Sequence, residues 1–235
     1  MSGRTLLVIA KDPYAVPAKT RLAGALGSRA ATKLAAAMLE DTIVAASAAT
    51  ADRRVLVLDD GNAGGRGTTG LPWPERIAEP DRTGWLVRGQ RSGGLEHRLL
   101  GAFEGAAGSG PAFLIGMDTP QITPELIDAG LDALADPKAV SIGPALDGGY
   151  WGIGMTGVVP EVFLDVPMST ADTFAVTAGR IESSGLKPVV LPELGDVDTL
   201  DDLERVIPAC APESRLPCAY AALQQAETIR APRSD

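Results

Sequence analysis

The chain has 235 residues, 45% hydrophobic and 22% charged, a length and balance at which one α/β domain can bury a full core. Aromatic residues are only 4% while Ala and Gly abound, which favours Val, Leu, Ile and Ala packed between helices and a sheet over a β-sandwich. The formal net charge of -9 argues against nucleic acid as a partner, because phosphate backbones are held by broad Lys/Arg surfaces, whereas a small anionic ligand needs only a local positive pocket.

Residues 5–10 are a short continuous apolar run, as expected for a buried parallel strand. Lys11 and Asp12 end it before a signal-peptide core or a membrane span could form, so no membrane partner is expected. After the loop KDPYAVPAKTRLAG, Ser28 is placed to cap a long Ala-rich helix reaching about Ala49, with Leu34, Met38, Ile43 and Val44 as its apolar stripe. Residues 54–58 form the second strand, and GNAGGRGTTGLPWPE, residues 61–75, has too much Gly for a packed element and is expected to be a mobile loop. A helix over 93–107 and a strand over 112–115 follow, the strand running into GMDTPQITPE. Thr123 caps the next helix, with Pro124 at its first position, to about Leu134. The remaining expectations are a strand over 140–143, a helix over 169–184, a strand over 188–191 and a helix over 199–207.

This alternation predicts a single-domain, three-layer α/β/α fold with a mostly parallel sheet wrapped on both faces. The domain is expected over 1–210, with 211–235 as a C-terminal extension of one helix and a disordered tail. Cys210 and Cys218 have neither CxxC spacing nor a nearby His, which reads as reduced thiols in a cytoplasmic protein.

Two nucleotide-binding classes are set aside at once. The chain goes from its first strand to Lys11-Asp12-Pro13 rather than GxGxxG, and it has no GxxxxGK[ST]. Open α/β sheets bind ligands at the carboxyl ends of their strands, and the chemically suggestive stretches fall there. Lys11, Lys19, Thr20 and Arg21 place three cations and a hydroxyl in one loop, suited to phosphate oxygens. Asp118 follows a buried strand and precedes Pro120, so its carboxylate is expected in the crevice as a ligand for Mg²⁺ or Mn²⁺. Asp198 is a possible second carboxylate, although Asp196 and Asp198 both stand where helix capping competes. Asp147-Gly148-Gly149 is a good hairpin turn, yet paired glycines also admit a ligand close to the backbone; Tyr150 and Trp151 could stack on it, and Asp147 could deprotonate an acceptor hydroxyl. The amide of Gln90 could read a base edge or a ribose, while His97, the only histidine, reads as a surface residue.

The stretches AKDPYAVPAKTRLAGAL, MLEDTI, IGMDTPQITPEL, GPALDGGYWGIG and GDVDTLDDL, in this order, resemble a bacterial family of GT-A-type glycosyltransferases once classed as a domain of unknown function. The order also resembles the 2-phospholactate guanylyltransferases and, more distantly, molybdenum-cofactor guanylyltransferases and sugar-acid cytidylyltransferases. The resemblance implies the nucleotide-diphospho-sugar transferase fold. It further implies that Lys11, Lys19 and Arg21 contact phosphates, that Asp118 and Asp198 hold the metal, and that residues 147–151 line the acceptor side. The chain departs from the family pattern at Val16, where a glycine is usual, at Gly94, Leu95 and Glu96, and at Met168, where a tryptophan is usual.

The leading expectation is a metal-dependent glycosyltransferase that moves a sugar from a nucleotide sugar to a small-molecule acceptor, with Lys19, Arg21 and Asp147 as its catalytic residues. The alternatives are a nucleotidylyltransferase, which uses a nucleoside triphosphate and releases pyrophosphate, and an inactive nucleotide-binding protein, motivated by Val16, Glu96 and Met168.

Overall fold

The structure, a computed structural model, describes residues 3–61, 84–108 and 110–230. The expected mobile loop over 61–75 lies outside the described residues beyond Gly61, as does the expected tail over 231–235. The elements are, in chain order, β1 (Thr5–Lys11), α1 (Thr20–Leu26), α2 (Ser28–Ala48), β2 (Arg53–Asp59), β3 (Trp85–Gly89), α3 (Leu95–Ala106), β4 (Ala112–Gly116) and α4 (Pro124–Asp132). They continue with β5 (Ala139–Pro144), β6 (Tyr150–Met155), α5 (Thr173–Ser183), β7 (Lys187–Val190), α6 (Leu200–Val206) and α7 (Arg215–Arg230).

The strands form one seven-stranded sheet in the order β3-β2-β1-β4-β6-β5-β7. Among the strands of the described residues only β6 runs antiparallel to its neighbours, β4 and β5. The fold is therefore the mostly parallel α/β/α sandwich expected from the alternation of elements. Successive residues of a strand face opposite layers. Leu6, Val8, Leu56, Phe113 and Ile115 pack with Leu34 and Met38 of α2, Ile127 of α4, Leu203 of α6 and Leu216 of α7. Leu7, Val55, Val57, Leu114 and Ile153 pack with Leu99 and Phe103 of α3 and Ile181 of α5.

Three differences from the sequence reading have physical causes. Strand β6 carries Gly152 and Gly154, residues that normally weaken a strand; they are needed because the ring of Phe113 on β4 lies where their β-carbons would be. Ser28 begins α2 without capping it: Gly27 is the N-cap and no side chain bonds to the end. Helix α5 starts at Thr173 rather than at residue 169, because Ser169 has a left-handed backbone (φ 59°) that cannot continue a helix. Thr123, in contrast, caps α4 as expected, accepting from the Leu126 N–H at 3.4 Å.

The chain leaves β1 toward β2 and β3 on one side and later returns to place β4 on its other side. Such a reversal opens a crevice at the carboxyl ends of the strands on either side of it. The register sets Ile9 beside Gly116, so Lys11, the last residue of β1, and Asp118, two residues beyond the end of β4, come at the same level.

Candidate functional site

At that switch point lies a cavity of about 550 Å³. Ile9 and Leu114 line its floor, Arg98 and Leu99 of α3 one wall, and Met168 and Thr173, before and at the start of α5, another. Lys11, Lys19, Thr20, Arg21, Gln90, Asp118, Asp147, Gly149, Tyr150, Trp151 and Asp198 all border it, so residues 187 positions apart in the chain come together.

The acidic rim is built by a strap, residues 191–198, that crosses the strand ends. Leu191 N–H donates to Ile142 O (2.9 Å), Leu194 N–H to Pro144 O (3.1 Å) and Val197 N–H to Asp118 O (2.9 Å), while Leu146 N–H donates to Leu194 O (3.0 Å). Gln121 adds a side-chain tie from Nε2 to Gly195 O (2.6 Å). The capping of α6 is done by Thr199 and Asp202, which form a reciprocal capping box. That leaves the side chains of Asp196 and Asp198 to the cavity.

Lys19 crosses from the opposite rim. Its Nζ lies 2.7 Å from Asp118 Oδ1 and 2.7 Å from Asp198 Oδ1, and its side chain is only 5% exposed. Burial acts against the ammonium, but the charges of Asp118 and then Asp198 outweigh it and hold its pKa above the ordinary lysine value. In this arrangement Lys19 is engaged by carboxylates and not offered to phosphates, unlike Lys11 and Arg21, which stand exposed at the cavity and form no ion pair among the described residues. Thr20 is exposed at the first position of α1.

Val16 is not among the residues with positive φ; within the loop it is Lys19 that takes the left-handed conformation (φ 54°, ψ 52°).

Gln90 borders the cavity, but its amide is engaged: Nε2 donates to Ala10 O (2.7 Å) and Val57 O (3.1 Å), and Oε1 accepts from Arg98 Nη1 (3.3 Å). It ties the ends of β1 and β2 together instead of presenting a free edge to a base. The 147–149 stretch is both a turn and a rim. Asp147 Oδ1 accepts from Gly149 N–H at 2.8 Å, closing the hairpin between β5 and β6, and the residue is exposed where it borders the cavity. Gly148 (φ 88°) does not line the cavity; it packs on the backbone of Ala171, where a side chain would collide. Trp151 is 3% exposed, edge-on to Phe113 with ring centroids 5.9 Å apart, and its Nε1 donates to Pro192 O (2.9 Å). Its indole belongs to the core rather than to a stacking surface. Tyr150 keeps its hydroxyl buried and unpartnered, and burial pushes its pKa up.

Three further cavity residues were given no ligand role from the sequence. Asp196 has its carboxyl pushed up to about 6 by burial and, next, by the charge of Asp147. Arg98 has a buried Nε without a partner, and Thr119, 2% exposed, has an unpartnered hydroxyl. Arg98 sits one residue from His97, which is exposed and paired with Glu96, so only the position on the inner face of α3 distinguishes it. Among the described residues no helix is long and apolar enough to cross a membrane. Cys210 and Cys218 are both free, the first buried and the second exposed.

The architecture is that of the nucleotide-diphospho-sugar transferase fold. A protein from Desulfovibrio desulfuricans G20 that carries the provisional name nucleotide-diphospho-sugar transferase superposes with a TM-score of 0.76, at 24% identity over 97% of each chain. A cytidylyltransferase from Leptospira borgpetersenii superposes with a TM-score of 0.55, at 14% identity over 99% of this chain and 98% of the other. CMP:2-keto-3-deoxy-manno-octonic acid synthetase in complex with CTP gives 0.55, at 13% identity over 86% of this chain and 96% of the other. At the level of sequence, residues 42–170 match the DUF2064 family, described as uncharacterized proteins conserved in bacteria, and the chain belongs to that family. No curated protein is similar enough to match it. The matched stretch contains Asp118 and residues 147–151 but neither the basic loop nor Asp198.

Proposed function

We propose that this protein is a metal-dependent transferase that uses a nucleotide-activated donor, and that it moves a sugar from a nucleoside-diphosphate sugar to the hydroxyl of a small acceptor. One observation carries this reading: Asp118 Oδ1 and Asp198 Oδ1 converge on a single cation position, facing an exposed Lys11 and Arg21 across a cavity at the sheet's switch point. Among the described residues no group of three or more acidic, His or Cys side chains forms a complete metal cage. A two-carboxylate site suits Mg²⁺ or Mn²⁺, which take one or two carboxylates and complete their shell with phosphate oxygens and water. Bound there, such an ion supplies neutralisation of charge on the departing diphosphate.

The side chains of this chain carry the other steps. Lys11 and Arg21 hold phosphate oxygens, Arg21 through a two-pronged contact that also fixes their direction. Their positive charge lies where the leaving nucleoside diphosphate becomes more negative, so they stabilise the transition state more than the ground state. Asp147, at the opposite rim, accepts the proton of the acceptor hydroxyl as it attacks. The motif order and the fold together support the GT-A reading.

A second reading uses the same residues. The nucleotidylyltransferases among the structures of the same fold, together with three basic side chains in one loop, favour a nucleoside triphosphate as the donor, attacked at its α-phosphate with release of pyrophosphate. The test is a thermal-shift panel of nucleotide sugars and triphosphates with and without Mn²⁺, followed by product analysis. Metal-dependent stabilisation by a nucleotide sugar and release of nucleoside diphosphate support sugar transfer; pyrophosphate selects the second reading. Binding without turnover for any acceptor identifies a nucleotide-binding protein, and no metal-dependent stabilisation by any ligand removes the proposal.

A further inference from the structure

Lys19 holds a position that the function above assigns to a metal. Its ammonium touches the same two oxygens, Asp118 Oδ1 and Asp198 Oδ1, at 2.7 Å each. An ion bonded to both oxygens would have to sit in the volume Nζ fills, with two like charges in contact; the two cations cannot share the site. Lys19 is also set apart from the other cations of its loop. Its side chain is 5% exposed, while Lys11 and Arg21 are exposed, and it starts from a left-handed backbone (φ 54°) at the N-cap of α1. A non-glycine residue is rarely held in that conformation, and here it aims the side chain across the cavity at the carboxylates.

We propose that Lys19 is the resident cation of the metal position: its ammonium and the divalent ion bind there in mutual exclusion, so that metal enters with nucleotide and not before it. This rests on the nucleotide reading above. When the metal takes the two carboxylates, the displaced ammonium keeps three N–H donors and has nucleotide phosphates as its new partners across the same cavity. Without nucleotide the displaced charge has no such partner, and metal alone competes poorly. The arrangement keeps Asp118 and Asp198 close together, because an empty pair of carboxylates would repel.

The experiment is a titration of the intact protein with Mn²⁺ alone, read by the electron paramagnetic resonance signal of free Mn²⁺, for wild type and Lys19→Met. Expected is weak binding by wild type and binding on the order of tenfold tighter or more by Lys19→Met, since a like charge in contact has been removed. Adding Asp118→Asn to Lys19→Met abolishes the gain, which ties it to this position. Equal Mn²⁺ affinity in wild type and Lys19→Met overturns the proposal. Wild type alone supplies a second readout that needs no variant: amine acylation read by mass spectrometry. Lys19 is shielded relative to Lys11 in the metal-free protein and gains reactivity severalfold as Mn²⁺ alone is raised to saturation. Unchanged Lys19 reactivity at saturating Mn²⁺ overturns the proposal as well. Failure of every nucleotide to bind in the presence of Mn²⁺ would instead overturn the transferase reading, and the Mn²⁺-only contrast would still decide mutual exclusion at Lys19.

Discussion

The acidic strap and the basic loop face each other across one cavity and are held by different means. The strap is laced to the ends of β4 and β5 by backbone hydrogen bonds through Leu191, Leu194 and Val197 and by the Gln121 side chain, so Asp196 and Asp198 are fixed before any ligand arrives. The loop is anchored at its start, where Asp12 N–H donates to Asp59 O (2.8 Å) and Asp12 O accepts from Ala15 and Val16, and Lys11 and Arg21 extend from it exposed. Carboxylates that must share one cation need accurate placement, which backbone ties supply. Cations that receive a flexible phosphate chain need reach, and long side chains on a lightly tied loop supply that. Lys19 joins the two rims.

The largest effect distinguishing the rims is expected at the carboxylates. Asp118→Ala should lower turnover by roughly 10²–10³-fold, in the range found for removing one group that stabilises transition-state charge. It should also remove the metal-dependent thermal stabilisation, about 2.7 kcal/mol for a ligand at a hundred times its Kd. Full metal-dependent binding by Asp118→Ala would mean that the acidic rim is not the metal side.

Next comes a pH effect confined to the strap. Asp196 keeps its proton up to about pH 6 in the native state against an ordinary value of 3.8. Its contribution to stability is therefore complete below the lower value and lost as pH rises through the higher one. Asp196→Asn should be more stable than wild type at pH 8, by about 1–3 kcal/mol, with the two converging near pH 4. Urea unfolding at several pH values checks this, and a gap independent of pH would show that charge at Asp196 is not the cause.

On the other rim, Arg21→Ala and Lys11→Ala should each weaken nucleotide binding roughly tenfold, as expected for a lost charge-assisted hydrogen bond, and leave the unfolding midpoint unchanged. The loss should shrink at high salt, because both side chains are exposed. A drop in stability for either variant would erase the contrast between a fixed rim and a poised one. The smallest effect is predicted for Gln121→Ala, which cuts one tie to the strap at Gly195 and should cost about 1 kcal/mol of stability. Should nucleotide affinity survive it untouched, the backbone ties alone place Asp198.

Much of the frame was legible because its signals are local. β1, β2 and β4 each contain a continuous apolar run of the kind a sheet covered on both faces requires, and Thr123-Pro124 marks the start of α4 by the geometry of its own first turn. β6 was not legible, since its glycines answer to Phe113 on another strand and not to any rule of the segment itself. The engagement of Trp151 and Gln90 was not legible for a related reason: both border the cavity, yet their polar atoms are claimed by Pro192, Ala10 and Val57, partners no local pattern reveals.

From sequence alone came the alternating α/β order, the placing of Lys11, Asp118 and Asp147 after strands, and hence one shared end of the sheet for them. Only the tertiary structure decided how those groups pair. Lys19 and Asp198 stand 179 residues apart, and whether Asp198 would cap a helix or face a ligand was open until Thr199 and Asp202 were seen to form the cap between themselves. Hydrogen-bond and charge partners are chosen by distance in space, and distance in space across a sheet depends on strand order, which residue spacing along the chain does not contain.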